Sequence, residues 1–274
     1  MLQTPLLDEF LADVPEELGC RRCRAAERYR HEVRMAFQPI VDAEDGSVYA
    51  YEALVRGPAG EPAGEVLAAV ADAQRYGFDQ TCRVAAIRTA TRLGIATRLS
   101  INLMPNAVYD PATCIRITLA AADRYGLPVS RIVFELTEQE RIRDLDHTLA
   151  ILRDYQRRGF TMAIDDFGAG FSGLGLLAEC QPQLLKLDMG LVRGIDGDPV
   201  RRAIVEGVLV TARGIGSRVV AEGVETEGEL VTLHDLGVRL FQGYWFGRPA
   251  LEALPEIDAA ALAPLRRGRT ASAA

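Results

Sequence analysis

Histidine is scarce in this chain. Only His31, His147 and His234 occur in 274 residues, and none falls at the end of a strand-like run, which disfavours a hydrolase built on a histidine-rich zinc site. Five cysteines are too few for a disulfide scaffold at this length. Cys20 and Cys23 form a single CxxC, half of a tetrahedral zinc site with no second pair to complete it. They are expected to be spare thiols on a helix; a site shared across a dimer or a redox switch is the alternative. Cys82, Cys114 and Cys180 sit in helix-like segments and are expected in or near the core. A basic excess is also missing. The net charge of −7 argues against a broad footprint for a nucleic-acid polymer, although a small phosphorylated ligand needs only a metal or a few local cations. Long apolar runs are absent, so no membrane span is expected. The opening MLQTPLLDEFLADVPEEL carries Asp8 and Glu9 where a signal core would lie. The expected location is the cytoplasm.

What remains is an ordinary globular composition, 49% hydrophobic and 25% charged, at about the length of one (β/α)₈ barrel. From Met35 onward, β-rich runs (MAFQPIV, SVYAYEALV, RLSINLM, RIVFELTE, FTMAIDDFG, LLKLDM, SRVVAEGVE, LFQGYWFG) alternate with stretches of helical period. In LDHTLAILRDYQRRG, Leu145, Leu149, Leu152 and Tyr155 fall on one helical face. Gly94, Gly126 and Gly159 follow helix-like segments as left-handed caps. Eight strands separated by helices predict an α/β fold and, at this length, a closed barrel, with an open doubly wound sheet as the alternative. The domain reading is an N-terminal helical segment over 1–32, the barrel over 33–262, and a disordered tail over 263–274.

Each strand-like run turns polar near its C-terminal end: Glu52 and Arg56, Asn102, Glu135 and Glu138, Asp165 and Asp166, Lys186 and Asp188, Glu222 and Glu225, then Gln242. In a (β/α)₈ barrel these ends meet on one face, where active sites of the fold lie. Glu52, Glu135, Asp165, Asp166 and Glu222 would then crowd five carboxylates into one mouth. Unneutralised, they raise one another's pKa. Divalent cations relieve this, and hard oxygen ligands suit Mg²⁺ or Mn²⁺. The Asp165–Asp166 pair could bridge two ions spaced for in-line phosphoryl displacement. Taken singly, each has a plain structural explanation: a cap or loop carboxylate, a turn at Asp165–Asp166, a snorkelling surface lysine at Lys186. Their occurrence together on successive strands does not.

The motifs YEALVRG, SINLMPNA, FELTE, AIDDFGAGFSGL, LKLD, VVAEGVE and FQGYWFG, in this order from residue 35 to about 250, resemble those of EAL-domain cyclic di-GMP phosphodiesterases. The resemblance implies a modified TIM barrel with its first strand antiparallel, and hydrolysis of cyclic di-GMP to linear pGpG with two Mg²⁺ or Mn²⁺ ions per site. It assigns Glu52, Asn102, Glu135 and Asp165 to one metal, and Asp165, Asp166 and Glu222 to the other. Lys186 would orient or deprotonate the attacking water, and Gln242 would support the water network around the metals. Gln38, Leu54, Arg56 and Asp188 correspond to substrate-contacting positions. Glu138, Ser172 and Glu225 correspond to the coupling between metal binding, the loop 167–174 and a homodimer interface. Ala169, Phe171 and Gly173 stand where Thr, Tyr and Ser are usual. The rival expectation is a receptor or interaction module that binds cyclic di-GMP without hydrolysing it, and a separate sensory protein is a conceivable partner.

Overall fold

The computed structural model describes residues 6–12, 29, 31–137, 144–170 and 173–265. The strands are β1 (Arg34–Asp42), β2 (Val48–Arg56), β3 (Arg98–Leu103), β4 (Ile132–Thr137), β5 (Thr161–Phe167), β6 (Leu184–Leu187), β7 (Arg218–Ala221), β8 (Leu240–Phe241) and the two-residue β9 (Ala250–Leu251). The helices are α1 (Leu6–Ala12), α2 (Ala63–Ala68), α3 (Arg75–Arg92), α4 (Pro111–Tyr125), α5 (Leu145–Arg157), α6 (Gly173–Glu179), α7 (Met189–Val192), α8 (Pro199–Ile215) and α9 (Glu227–Leu236).

Strands β2 to β8 pair in parallel and in sequence order, and β1 closes the barrel between β8 and β2, antiparallel to both. The reversal has a local cause. Only residues 43–47 separate β1 from β2, too few for a crossover, so the connection must be a hairpin. Asp42 accepts from Gly46 N–H at 2.9 Å, Asp42 N–H donates to Ser47 O at 2.9 Å, and Gly46 takes φ +77°. This register sets Gln38 directly opposite Glu52. The expected closed barrel with a reversed first strand is therefore what forms, and the open sheet is excluded.

Alternation along the strands builds two layers inside the barrel. Ile40, Ala50, Val133, Ala163, Leu184, Val220 and Leu240 form one buried apolar cluster. Two residues further toward the mouth on the same strands come Gln38, Glu52, Glu135, Asp165, Lys186, Glu222 and Gln242. The apolar layer thus floors the polar one. Outward-facing strand residues pack against the helices in a larger core. Among the described residues no helix is long and apolar enough to cross a membrane.

The glycines expected to end helices do so, with φ of +75°, +71° and +91° at Gly94, Gly126 and Gly159. One expectation shifts. Leu149, Leu152 and Tyr155 are buried on α5, but Leu145 is 45% exposed because it opens the helix, beyond the packed stretch. Leu265, three residues past the boundary expected at 262, is buried in the core. Of the N-terminal segment, α1 packs through Phe10, and Tyr29 meets Phe78 edge-on with ring centroids 5.0 Å apart. Cys20 and Cys23 lie outside the described residues. Cys114 and Cys180 are buried and Cys82 is half-buried.

Candidate active site

One lysine organises the polar layer. Lys186 Nζ lies 2.8 Å from Glu222 Oε1, 2.9 Å from Glu135 Oε2, 2.9 Å from Asp165 Oδ1 and 3.5 Å from Glu52 Oε2. Its side chain is 1% exposed, which rules out the snorkelling alternative. It is also the only lysine in the chain; the other thirty basic residues are arginine. An ammonium is a compact point charge that fits among four carboxylates, where a planar guanidinium fork would not. That count was a signal open to sequence reading.

The surrounding groups are held in turn. Gln242 Nε2 donates to Glu52 Oε2 at 2.6 Å and to Gln38 Oε1 at 3.2 Å, and Gln38 Nε2 donates to Gly247 O at 3.1 Å. Asn102 Nδ2 donates to Glu52 Oε1 at 3.3 Å. Thr137 Oγ1 donates to Asp166 Oδ2 at 3.1 Å, and Ser100 Oγ to Glu135 Oε1 at 2.6 Å. Sequence reasoning missed these two hydroxyls. Ser100 carried a readable signal, being two residues before Asn102 on the same face of β3. It occupies the level of the apolar floor, and a buried hydroxyl there needs a partner.

Asp166 adopts φ +53°, and Gly168 φ +103°, as the chain turns away from β5, with Ala169 N–H donating to Asp166 O at 3.0 Å. The turn and the site are the same feature: the turn brings carboxylate oxygens of Asp165, Asp166 and Glu222 within 4.8 Å of one another. A mouth cavity of about 320 Å³ opens over Gln38, Glu52, Asp166, Asp188, Glu222 and Gln242. Asp188 lines it and also caps α7, accepting from Gly190 N–H at 2.8 Å. Glu225 lines it too, paired with Arg193 at 2.5 Å. Gly243 closes its wall against Val224, whose backbone an added Cβ would strike.

Two further expected substrate contacts, Arg56 and Leu54, sit at the end of β2. Arg56 Nη1 donates to Val55 O at 2.8 Å, and Leu54 lines a mainly apolar cavity of about 410 Å³ between the barrel and α2 and α3 that also reaches Asn102 and Thr137. Glu138 and Ser172 lie outside the described residues.

The electrostatics mark the cluster as short of positive charge. Burial, then Glu52, push the Glu135 carboxyl up to about 8 against the pull of Lys186. Burial raises Glu222 well above the ordinary glutamate range, and burial with Asp165 raises Asp166. Burial alone would lower Lys186, but Asp165, Glu135, Glu222 and Glu52 together hold it well above an ordinary lysine. Five carboxylates around one ammonium fit a further cation, and an all-oxygen donor set suits hard divalent ions.

A closed barrel with buried carboxylates converging at the C-terminal strand ends places its candidate site where active sites of this fold lie, with a donor set suited to divalent ions. More particularly, the chain belongs to the EAL domain family, whose match covers residues 23–249. A standalone EAL protein from Vibrio cholerae O395, solved with cyclic di-GMP bound, is 46% identical with a TM-score of 0.82, covering 84% of this chain and 98% of that one. Klebsiella pneumoniae BlrP1, in a manganese and cyclic di-GMP complex at pH 9.0, is 36% identical with a TM-score of 0.78, covering 92% and 67%. The cyclic di-GMP phosphodiesterase RocR of Pseudomonas aeruginosa is 34% identical over 165 residues, 60% of this chain and 42% of RocR. The chain spans about half the length, or less, of the curated relatives it matches.

Proposed function

We propose that this chain is a divalent-metal-dependent phosphodiesterase that opens cyclic di-GMP to linear pGpG. The observation that carries the reading is the set of Glu52, Glu135, Asp165 and Glu222 gathered on Lys186, with Asp166 beside them, at the barrel mouth. The likeness to proteins solved with cyclic di-GMP, one of them with manganese, supports the substrate and the class of ion. Glu52, Asn102, Glu135 and Asp165 would hold one Mg²⁺ or Mn²⁺, and Asp165, Asp166 and Glu222 a second. When bound, two such ions lower the pKa of water and neutralise the phosphate.

The chain's own groups do the rest. Lys186, within reach of four of these carboxylates, would orient or deprotonate the attacking water. Gln242 and Asn102 hold Glu52 from two sides. Arg56 has the fork geometry to take a phosphate oxygen once it leaves Val55 O. The water oxygen bonds to phosphorus and the P–O3′ bond breaks. The proton that the water gives up balances the one that the 3′ oxygen takes, and the product keeps the terminal 5′-phosphate of pGpG.

Purified protein with Mg²⁺ or Mn²⁺ should convert cyclic di-GMP to pGpG, read by chromatography, and a chelator should stop it. Turnover that survives the chelator would end the two-metal reading. Ca²⁺, larger and with more ligands, should not support turnover. A homodimer tied to the loop 167–174 through Glu138 belongs to the same proposal. Glu138→Ala should raise the metal concentration needed for half-maximal rate; full activity at ordinary Mg²⁺ would remove the coupling.

A further inference from the structure

Helix α3 carries a charge pair that the proposed chemistry does not use. Asp79 and Arg83, one turn apart, are 1% and 0% exposed at their side chains and 2.5 Å from each other. Besides Asp79, the Arg83 guanidinium has the Tyr155 hydroxyl as a side-chain partner. Stability does not explain such a pair, because taking two charges out of water commonly costs more than their attraction returns. An apolar pair would fill the space as well.

What the pair touches is informative. Asp79 Oδ1 accepts from Met104 N–H at 3.2 Å, two residues beyond Asn102. The Arg83 guanidinium lies over the Phe134 ring, 5.2 Å from its centroid, one residue before Glu135. Asn102 and Glu135 are direct register partners on β3 and β4. Met104 and Phe134 thus connect the pair, from the helix side, to the two strand ends whose inward side chains reach the mouth.

We propose that Asp79 and Arg83 are positioning residues for Asn102 and Glu135: the carboxylate pins the amide where β3 ends, and the guanidinium braces the ring behind Glu135. A charged hydrogen bond fixes direction as well as distance, which apolar packing cannot do. The inference rests on reading Asn102 and Glu135 as metal ligands. Outer groups that orient ligands of this kind typically change metal affinity about 10–100-fold when lost.

The test is Mn²⁺ binding to the full chain by calorimetry, beside the unfolding temperature in chelator. Asp79→Leu with Arg83→Met replaces the pair by apolar groups. We expect an unfolding temperature at or above that of the wild type and Mn²⁺ affinity lowered about tenfold or more. Affinity unchanged within twofold, whatever the stability, would overturn the proposal. Should the double variant not fold, Arg83→Lys keeps a charge beside Asp79 but gives up the plane over Phe134. Weakened Mn²⁺ binding there supports the proposal and unchanged binding overturns it. Because binding is read without substrate, wild type that binds Mn²⁺ but leaves cyclic di-GMP intact removes the proposed function alone. Wild type that binds no Mn²⁺ overturns both.

Discussion

At Lys186, four carboxylates lie within 3.5 Å of one ammonium, and the balance among them sets what single residues should do. Lys186→Met removes a preorganised donor at the reacting water and should lower turnover about 10²–10³-fold. Cyclic di-GMP binding, read by calorimetry in Ca²⁺, should change far less; near-normal rates would refute the assigned role. Since this is the only lysine, ¹⁵N-lysine labelling makes its ammonium a single-site NMR probe of metal titration. Glu135 yields a pH prediction. Its carboxyl stands at about 8, above the ordinary value of 4.5, so between those values the folded chain holds a proton that the unfolded chain releases. The stability from this group is present below the ordinary glutamate value and is lost as pH rises through about 8. Calorimetry in chelator should find the unfolding temperature falling across that window, and falling less in Glu135→Gln. Mn²⁺ affinity should rise over the same range, because the ion displaces the proton.

Single strands and turns set how closely the ligands are held. Ser100 is the one hydroxyl at the level of the apolar floor, and its bond to Glu135 is the only one it makes among the described residues. Ser100→Ala should therefore leave the barrel intact while Glu135 loses a fixed partner. A stability change of about 1 kcal/mol, with a larger relative loss of metal affinity by titration, is the expected result; unaltered metal affinity would count against it. Gly243 is a different case. A methyl there meets the Val224 backbone, not a yielding side chain, so Gly243→Ala should destabilise by about 1–3 kcal/mol and displace the mouth wall beside Gln242. Denaturant unfolding checks the first and substrate KM the second.

For the whole molecule, the hairpin after β1 decides the architecture. Reversing one strand lets Gln38 face Glu52 across a non-parallel pair, so the mouth gains a polar group from mid-strand rather than from a C-terminal end. Lengthening the 43–47 turn with a few glycines should be tolerated, at under about 1 kcal/mol by loop-closure entropy, because the pairing with β8 and β9 still holds β1 in place. Wild-type turnover with a slightly lower unfolding temperature is expected. Collapse of the fold would mean that the turn, rather than the pairing, specifies the reversal.

Much of this was legible in the chain itself. Strand alternation, glycine caps and acids at successive strand ends are local patterns, and a local pattern survives in one dimension. They determined the barrel, its polar end and the carboxylate set, and the ordered motifs determined the family. Leu145, Leu265 and the Asp79–Arg83 pair were not readable in the same way. Whether a residue opens a helix, seals a core, or stands behind a ligand depends on which distant segment folds against it. Tertiary structure alone decided that Lys186 is a buried hub and that Leu54 shares a cavity with Asn102 and Thr137. Burial and charge–charge repulsion depend on distances through space, and sequence separation does not encode them.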